Sequence, residues 1–402
     1  MVADHQGGEC QGRLASEMAD APLPFDELVR AIQGRRSVYG AISGLQLDRA
    51  APGEAWSSLP YRSVFVGDSA TGVLHGGVVT AMLDESCGMA VQLALDGTRA
   101  IATLDLRIDY QKPATPGLAI RAHSICYRVT RSIAFVRSTA YQESEDDPVA
   151  TATACFVVGA NRTNMLRDRP ADAAAPPALE APDDPDGPFA NSPFARCLGI
   201  RAHDDGMLVM PFSQKIIGNP ILPAIHGGMT GAFLETTAII GVTRELGVAA
   251  WPKPIGLTIN YLRSGRALDS YASASIVKQG RRVVAFEAKA WQGDPDKPIA
   301  SAFGHRRRAA MTNRGAPFYS LMGSIHWRDP RERTWREIPK KGAHRAKRSA
   351  ASRRGLRRAA ARPVAPGKAR ARTRPGSRGL KSAIASHPAA VRRPGLQGWR
   401  RS

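Results

Sequence analysis

The chain is short of most features that assign a function at sight. Its five cysteines, Cys10, Cys87, Cys126, Cys155 and Cys197, are odd in number and widely spaced, with no CxxC and no Cys/His cluster. Neither a disulfide framework nor a zinc site is indicated, so no bound metal is expected. No apolar run approaches the roughly 18 residues of a membrane span. The N-terminus has no charged-then-apolar leader pattern. A reducing cytoplasm is the expected compartment.

Charge is present, but it is not spread over the chain. The formal net charge is +21, yet residues 306–402 alone hold 28 basic and 3 acidic residues. The other 305 residues carry 28 basic and 32 acidic side chains and are mildly acidic. A length of 402 residues accommodates two domains with cores of their own. The charge therefore marks a tail, not a basic body.

What is present is a repeat. Val73 to Val91 reads V-L-H-G-G-V-V-T-A-M-L-D-E-S-C-G-M-A-V, and Ile225 to Gly241 reads I-H-G-G-M-T-G-A-F-L-E-T-T-A-I-I-G. His226 follows His75 by 151 residues, and so do Glu235 after Asp84, Tyr261 after Tyr110 and Phe286 after Phe135. After a one-residue slip, Val149–Ala152 matches Ile299–Ala302. A constant period over that length is an internal duplication. Each copy of the motif opens a long apolar helix with an acid nine residues past its His, Asp84 or Glu235, and with two glycines leaving the first N–H groups uncovered. Those N–H groups, at the positive end of the helix dipole, are a natural seat for a carbonyl oxygen gaining charge.

Around each helix the pattern predicts strands. In the first copy these run from Tyr61 to Val66, Ala100 to Tyr110, Ala119 to Val129, Ile133 to Tyr141 and Ala150 to Val158, after a short helix over Pro24 to Gln33. In the second they are Met207 to Pro211, Ile255 to Leu262, Ser270 to Lys278, Val283 to Trp291 and Ile299 to His305, after a short helix near Phe194 to Leu198. Apolar and polar residues alternate in several of them, as half-buried antiparallel strands require. The expected fold class is α+β, with each central helix wrapped by an antiparallel sheet. The expected organisation is a disordered N-terminus over 1–24, a first repeat over 25–160, and a Pro/Ala/Asp-rich linker over 161–187. A second repeat then covers 188–308, and a basic low-complexity tail 309–402 cannot bury enough apolar surface to fold alone.

The pattern H-G-G-x6-D/E, with a downstream strand ending in Tyr and a later A-F strand, resembles the hotdog-fold acyl-CoA thioesterases of the PaaI-like type. The resemblance covers roughly 55–160 and 188–305. It implies a tandem, or double, hotdog with active sites between the repeats. Nine residues of helix set Asp84 about 180° and about 13 Å from His75, so one carbonyl cannot meet both ends of the same helix. Two crosswise sites are therefore expected. One joins His226, Gly227 and Gly228 to Asp84; the other joins His75, Gly76 and Gly77 to Glu235.

In that family a hydroxyl residue seven positions before the strand Tyr helps to hold the attacking water. Here it is Thr103 in the first copy and Pro254, without a hydroxyl, in the second. An Asn ahead of the HGG polarises the thioester oxygen in the family; Asn219 stands one position too far upstream. The Asp84 site is thus the fuller one. Gly77 or Gly228 N–H is expected at the oxyanion, Gly76 and Gly227 beside the substrate, and His75 and His226 mainly orienting the turn. Asp84 is expected as general base or nucleophile. Arg131, with Lys278, Arg281 and Arg282 at the matching place, are candidates for the coenzyme A phosphates.

The implied activity is hydrolysis of a medium-chain or aromatic acyl-CoA, with no cofactor besides the coenzyme A of the substrate. The rival is a non-catalytic acyl-CoA sensor whose tail contacts nucleic acid. A hotdog dehydratase is less favoured, because no D-x-N-P-x-H is present. The tail admits three roles: salt-sensitive phosphate binding to nucleic acid, tethering to an anionic surface, or none, as a stretch past the natural end of the protein. The last is slightly favoured, since its Arg/Ala/Pro/Gly bias carries no pattern. Exposed sheet edges suggest a homodimer of double hotdogs.

Overall fold

The computed structural model describes residues 24–34, 36–95, 97, 99–162, 178–184, 189–203, 207–219, 223–246 and 252–307. The N-terminal stretch before Pro24, most of the linker expected over 161–187, and the basic tail 309–402 lie outside the described residues.

The first repeat begins with α1 (Phe25–Gly34), α2 (Val38–Ser43), β1 (Gln46–Ala51) and β2 (Glu54–Leu59). Two short strands, β3 (Val66–Asp68) and β4 (Val73–Leu74), lead into the central helix α3 (Gly76–Ala94). Four long strands follow: β5 (Arg99–Tyr110), β6 (Ile120–Val129), β7 (Ile133–Tyr141) and β8 (Ala150–Arg162). The second repeat has α4 (Pro193–Cys197), β9 (Arg201–Ala202), β10 (Leu208–Met210), β11 (Ile217–Asn219) and β12 (Ala224–Ile225). Its central helix is α5 (Gly227–Leu246), followed by β13 (Lys253–Tyr261), β14 (Ser270–Gln279), β15 (Val283–Trp291) and β16 (Ala300–Arg307).

Twelve of these strands form one antiparallel sheet in the order β1-β2-β6-β7-β8-β5-β13-β16-β15-β14-β10-β9. The order reads the same from both ends once each strand is replaced by its repeat partner. At the centre, β5 pairs with β13, and Arg107 stands opposite Thr258, its own counterpart 151 residues later. The repeats are therefore related by a pseudo-twofold axis through that pair, and the fold is a double hotdog.

Both central helices are apolar on nearly every side and lie in the concavity of the sheet. A helix hydrophobic all round is stable only when it is covered all round. Val78, Met82 and Leu83 of α3 and Met229, Phe233 and Leu234 of α5 are each almost fully buried. Each such side chain contributes about 1.5–3 kcal/mol on burial.

Two local expectations need correction. Tyr61 to Val66 is not a strand: Ser63–Phe65 forms a 3-10 turn and pairing begins only at Val66. β1 and β2 were not anticipated at all. The buried face of β2 is Ala55, Ser57 and Leu59, two of the three too small or polar to register as a hydrophobic period. Within the linker, Leu179 is buried and its carbonyl accepts from Arg62 Nη2 at 3.3 Å.

Candidate active site

The site is built where the two central helices cross. The N-terminal turn of α5 packs on the middle of α3, and the N-terminal turn of α3 on the middle of α5. A Cβ on Gly228 would stand 2.5 Å from Ala81 Cα, and one on Gly77 2.8 Å from Ala232 Cα. Neither separation is physically available, so the second glycine of each HGG is required by the close approach of the helices. The motif thus has a packing reason besides any chemical one.

That crossing brings each acid to the opposite helix start, and the two composites then differ. In the first, Asp84 is 4% exposed. Gly228 N–H donates to its Oδ2 at 2.7 Å and the Thr103 hydroxyl to its Oδ1 at 2.8 Å. His226 Nδ1 accepts from Gly228 N–H at 3.0 Å and lies 3.5 Å from Asp84 Oδ2. The other imidazole nitrogen, Nε2, is 2.6 Å from Glu85 Oε2. Tyr261 donates to the Gly227 carbonyl at 2.9 Å. Burial raises the Asp84 pKa; the His226 charge and the Thr103 and Gly228 hydrogen bonds oppose it, and the net shift is upward.

Expectation and structure part over the glycines. Gly228 N–H is already engaged by Asp84 and His226, so it is not the free donor of this helix start. Gly227 N–H has no acceptor among the described residues. Gly227, Thr103 and Tyr261, around this carboxylate, are partly exposed. At the positive end of α5, the N–H without an acceptor among the described residues is that of the first glycine, not the second.

In the second composite, Glu235 is 1% exposed and takes no bond from Gly77 N–H among the described residues. Its Oε1 is ion-paired with Arg306 Nη2 at 2.9 Å, and its Oε2 accepts from Tyr110 at 3.0 Å and Thr80 at 3.4 Å. Arg306 is itself 2% exposed and also donates from Nη1 to the Pro252 carbonyl at 3.0 Å. His75 Nδ1 accepts from Gly77 N–H at 2.8 Å, while its Nε2 faces Thr236 Oγ1 at 3.4 Å. Burial, with Arg306 beyond it, pushes the His75 imidazole down to about 3.

The difference arises from a few substitutions at matched places. Glu85 becomes Thr236, Thr103 becomes Pro254, and Asp84 becomes Glu235, each at the 151-residue period. Strand register supplies the fourth: Phe156 stands opposite Thr103 in β5–β8, and Arg306 stands opposite Pro254 in β13–β16. Glu85 and Arg306 were not among the candidate residues. Glu85 reads as the solvated neighbour of an acid, and Arg306 as the first charge of the tail.

The remaining candidates are elsewhere or not described. Asn219 ends β11, but its side chain lies outside the described residues. Arg131 is exposed at the β6–β7 hairpin tip, where its carbonyl accepts from Arg99. Arg281 and Arg282 are exposed at the matching β14–β15 tip. A groove of about 410 Å³ on the outer face of the sheet, lined by Arg107, Asp109, His123, Arg137 and Glu145 among others, shares no residue with either composite. No described residues are grouped to hold a metal ion, and no described helix is long and apolar enough to cross a membrane.

Comparison with known proteins identifies the family. The profile of the thioesterase superfamily matches residues 71–149 and again 222–299. The chain is 30% identical over 129 residues to the medium/long-chain acyl-CoA thioesterase YigI of Escherichia coli, covering 82% of that protein and 29% of this one. The chain belongs to the thioesterase superfamily. Thioester hydrolysis is the class of chemistry this membership assigns.

Among solved structures, a hot dog fold protein from Alicyclobacillus acidocaldarius shares 15% identity, covering 68% of this chain and 98% of its own, with a TM-score of 0.46. A point variant of the phenylacetic acid degradation protein PaaI from Thermus thermophilus shares 24% identity. It covers 30% of this chain and 96% of its own, with a TM-score of 0.27.

Proposed function

We propose that the chain hydrolyses acyl-CoA thioesters at the composite of Asp84, Thr103 and the α5 N-terminus, with Asp84 as general base. The observation that carries this is a buried carboxylate held by Gly228 N–H and the Thr103 hydroxyl beside the N–H of Gly227, which has no acceptor among the described residues. The thioester oxygen accepts from Gly227 N–H, where the helix dipole stabilises the charge of the tetrahedral intermediate. A water beside Thr103 gives its proton to Asp84 as its oxygen bonds to the carbonyl carbon. The intermediate collapses by breaking the C–S bond, and the same proton goes to the departing coenzyme A sulfur. A base of raised pKa suits this step, because it takes a proton more readily and returns it.

The acyl group belongs to the medium-chain or aromatic class, and the name of the Escherichia coli relative favours the fatty members. The test is release of free thiol from a panel of straight-chain and aromatic acyl-CoA esters. Turnover of at least one class is expected; no thiol from any of them contradicts the proposal.

A pH profile gives a second check. The rate falls as Asp84 takes up a proton, with an apparent pKa above the ordinary aspartate range that belongs to the Asp84–His226–Glu85 cluster as a whole. The Thr103 hydroxyl stabilises the ionised carboxylate, so Thr103→Val moves this acid limb to higher pH. A limb that stays in place, or moves down, removes Thr103 from the site.

The Glu235 composite has no part in turnover on this reading. Its carboxylate is committed to Arg306, and its strand position for a water-holding hydroxyl is Pro254. Glu235→Gln is therefore expected to keep kcat/KM within about three-fold of the parent, far less than the two decades or more that a general base contributes. A loss as large as that of an Asp84 variant would assign catalysis to both composites.

A further inference from the structure

We propose that Glu85 is a positioning residue for this reaction, holding His226 so that the first turn of α5 presents Gly228 N–H to Asp84 and Gly227 N–H to the substrate. The proposal rests on the activity assigned above to the Asp84 composite. Glu85, its side chain 9% exposed, stands beside a catalytic acid that it does not itself touch by hydrogen bond, and the hydrolytic steps make no direct use of it.

The contacts state the role. Three donors converge on its carboxylate: Ser37 N–H at 3.1 Å on Oε1, and the Ser37 hydroxyl and His226 Nε2, both at 2.6 Å on Oε2. Ser37 is the N-cap of α2, its Oγ accepting from Gly40 N–H at 2.8 Å. Glu85 therefore ties the start of α2, the middle of α3 and the start of α5 at one point. Only a carboxylate, which accepts on both oxygens, meets all three donors; an amide turns one N–H₂ against a donor. In the neutral imidazole, the Nε2 proton directed at Glu85 leaves the Nδ1 lone pair for Gly228 N–H at 3.0 Å; in the imidazolium both nitrogens donate, and the Nδ1 proton faces Asp84 Oδ2 at 3.5 Å. That fixes the peptide whose N–H also reaches Asp84.

The second composite is the internal comparison. There the same helix position is Thr236, and the imidazole of His75 has a neutral partner at 3.4 Å in place of a charged one at 2.6 Å. The groups facing His226 are Glu85 and Asp84 from α3 and Tyr39 from α2, whose ring centroid is 6.2 Å away. Burial depresses the His226 pKa, but the Glu85 hydrogen bond and charge, then Asp84, outweigh it, and the net shift is upward. Removing the Glu85 charge lets burial prevail.

The test uses the full chain labelled with ¹⁵N-histidine, the His226 signal being identified by its loss in His226→Gln. In the parent, His226 is expected to titrate above the ordinary imidazole range, and in Glu85→Gln and Glu85→Thr below the parent value. With the acyl-CoA substrate turned over by the parent, Glu85→Thr is expected to lower kcat roughly 10- to 100-fold with little change in KM, as a misplaced catalytic turn does. Glu85→Gln, which retains part of the acceptor set, is expected to lose less.

An unmoved His226 titration in both folded variants overturns the proposal, whatever the rate does. A lowered titration with kcat within two-fold of the parent also overturns it, since the link to the reaction is then absent. If the parent itself releases no thiol, the activity assignment fails separately, and the titration still decides whether Glu85 controls His226.

Discussion

Asp84→Asn lowers kcat/KM for acyl-CoA hydrolysis by about 10² to 10⁴, the usual worth of a positioned general base. The amide fits the same volume and still accepts from the Thr103 hydroxyl or from Gly228 N–H, so the fold survives while the proton acceptor is gone. The size of the effect follows from the geometry. Among the described residues, Asp84 is the one carboxylate that touches both the Thr103 hydroxyl and Gly228 N–H, and Glu85 is already occupied by Ser37 and His226. The loss is expected in kcat more than in KM, because the carboxylate acts on water and not on the acyl-CoA itself. Free-thiol release by a variant whose unfolding midpoint matches the parent checks it. Activity within a few-fold of the parent would take Asp84 out of the chemistry.

The largest expected effect on stability lies at the other composite. Arg306→Leu removes the guanidinium from Glu235 and leaves a carboxylate 1% exposed with only Tyr110 and Thr80 as donors. Stranding one member of a buried pair costs about 3–5 kcal/mol, whereas replacing both members by apolar side chains is often neutral or better. Denaturant unfolding of Arg306→Leu should show that loss, and the double change Glu235→Leu with Arg306→Leu should regain most of it.

A single variant within about 1 kcal/mol of the parent, well below the cost of a stranded buried charge, would mean the pair is not buried as described.

Much of the fold is legible in the residues because the duplication supplies each pattern twice. The strands Ile133–Tyr141 and Val283–Trp291 have the expected bounds, and both central helices begin at their glycines. The β1–β2 hairpin escaped because its inward face relies on Ala55 and Ser57, and the turn at Gly53, with φ of 73°, has no hydrophobic run on either side to frame it. Tyr61 to Val66 misled in the opposite direction. Its Tyr, Val and Phe suit a strand, but Phe65 N–H bonds back to the Arg62 carbonyl at 2.9 Å and closes a turn.

At the site, the helix period alone shows that no acid meets its own HGG, so the crosswise geometry of Asp84 with residues 226–228 is a consequence of spacing. What spacing does not reveal is which donors are already taken. The engagement of Gly228 N–H by Asp84 depends on how closely two helices cross, which is a tertiary quantity. Glu85 and Arg306 were hidden for a related reason: charged residues are read as solvated unless a partner is known, and their partners are 141 and 71 residues away. The available signal was register. Arg306 stands opposite Pro254 as Phe156 stands opposite Thr103, and a cation where the first repeat has a buried phenyl ring needs an anion beside it.

The most direct measurement is a structure of the chain with an acyl-CoA analogue in which a methylene replaces the thioester sulfur. The ketone oxygen is expected within hydrogen-bond distance of Gly227 N–H, with Asp84 and Thr103 flanking the carbonyl carbon and the Glu235–Arg306 pair intact and unoccupied. A ketone seated instead at Gly76 beside a displaced Arg306, or bound only in the groove on the outer face of the sheet, would contradict the assignment of hydrolysis to the Asp84 composite.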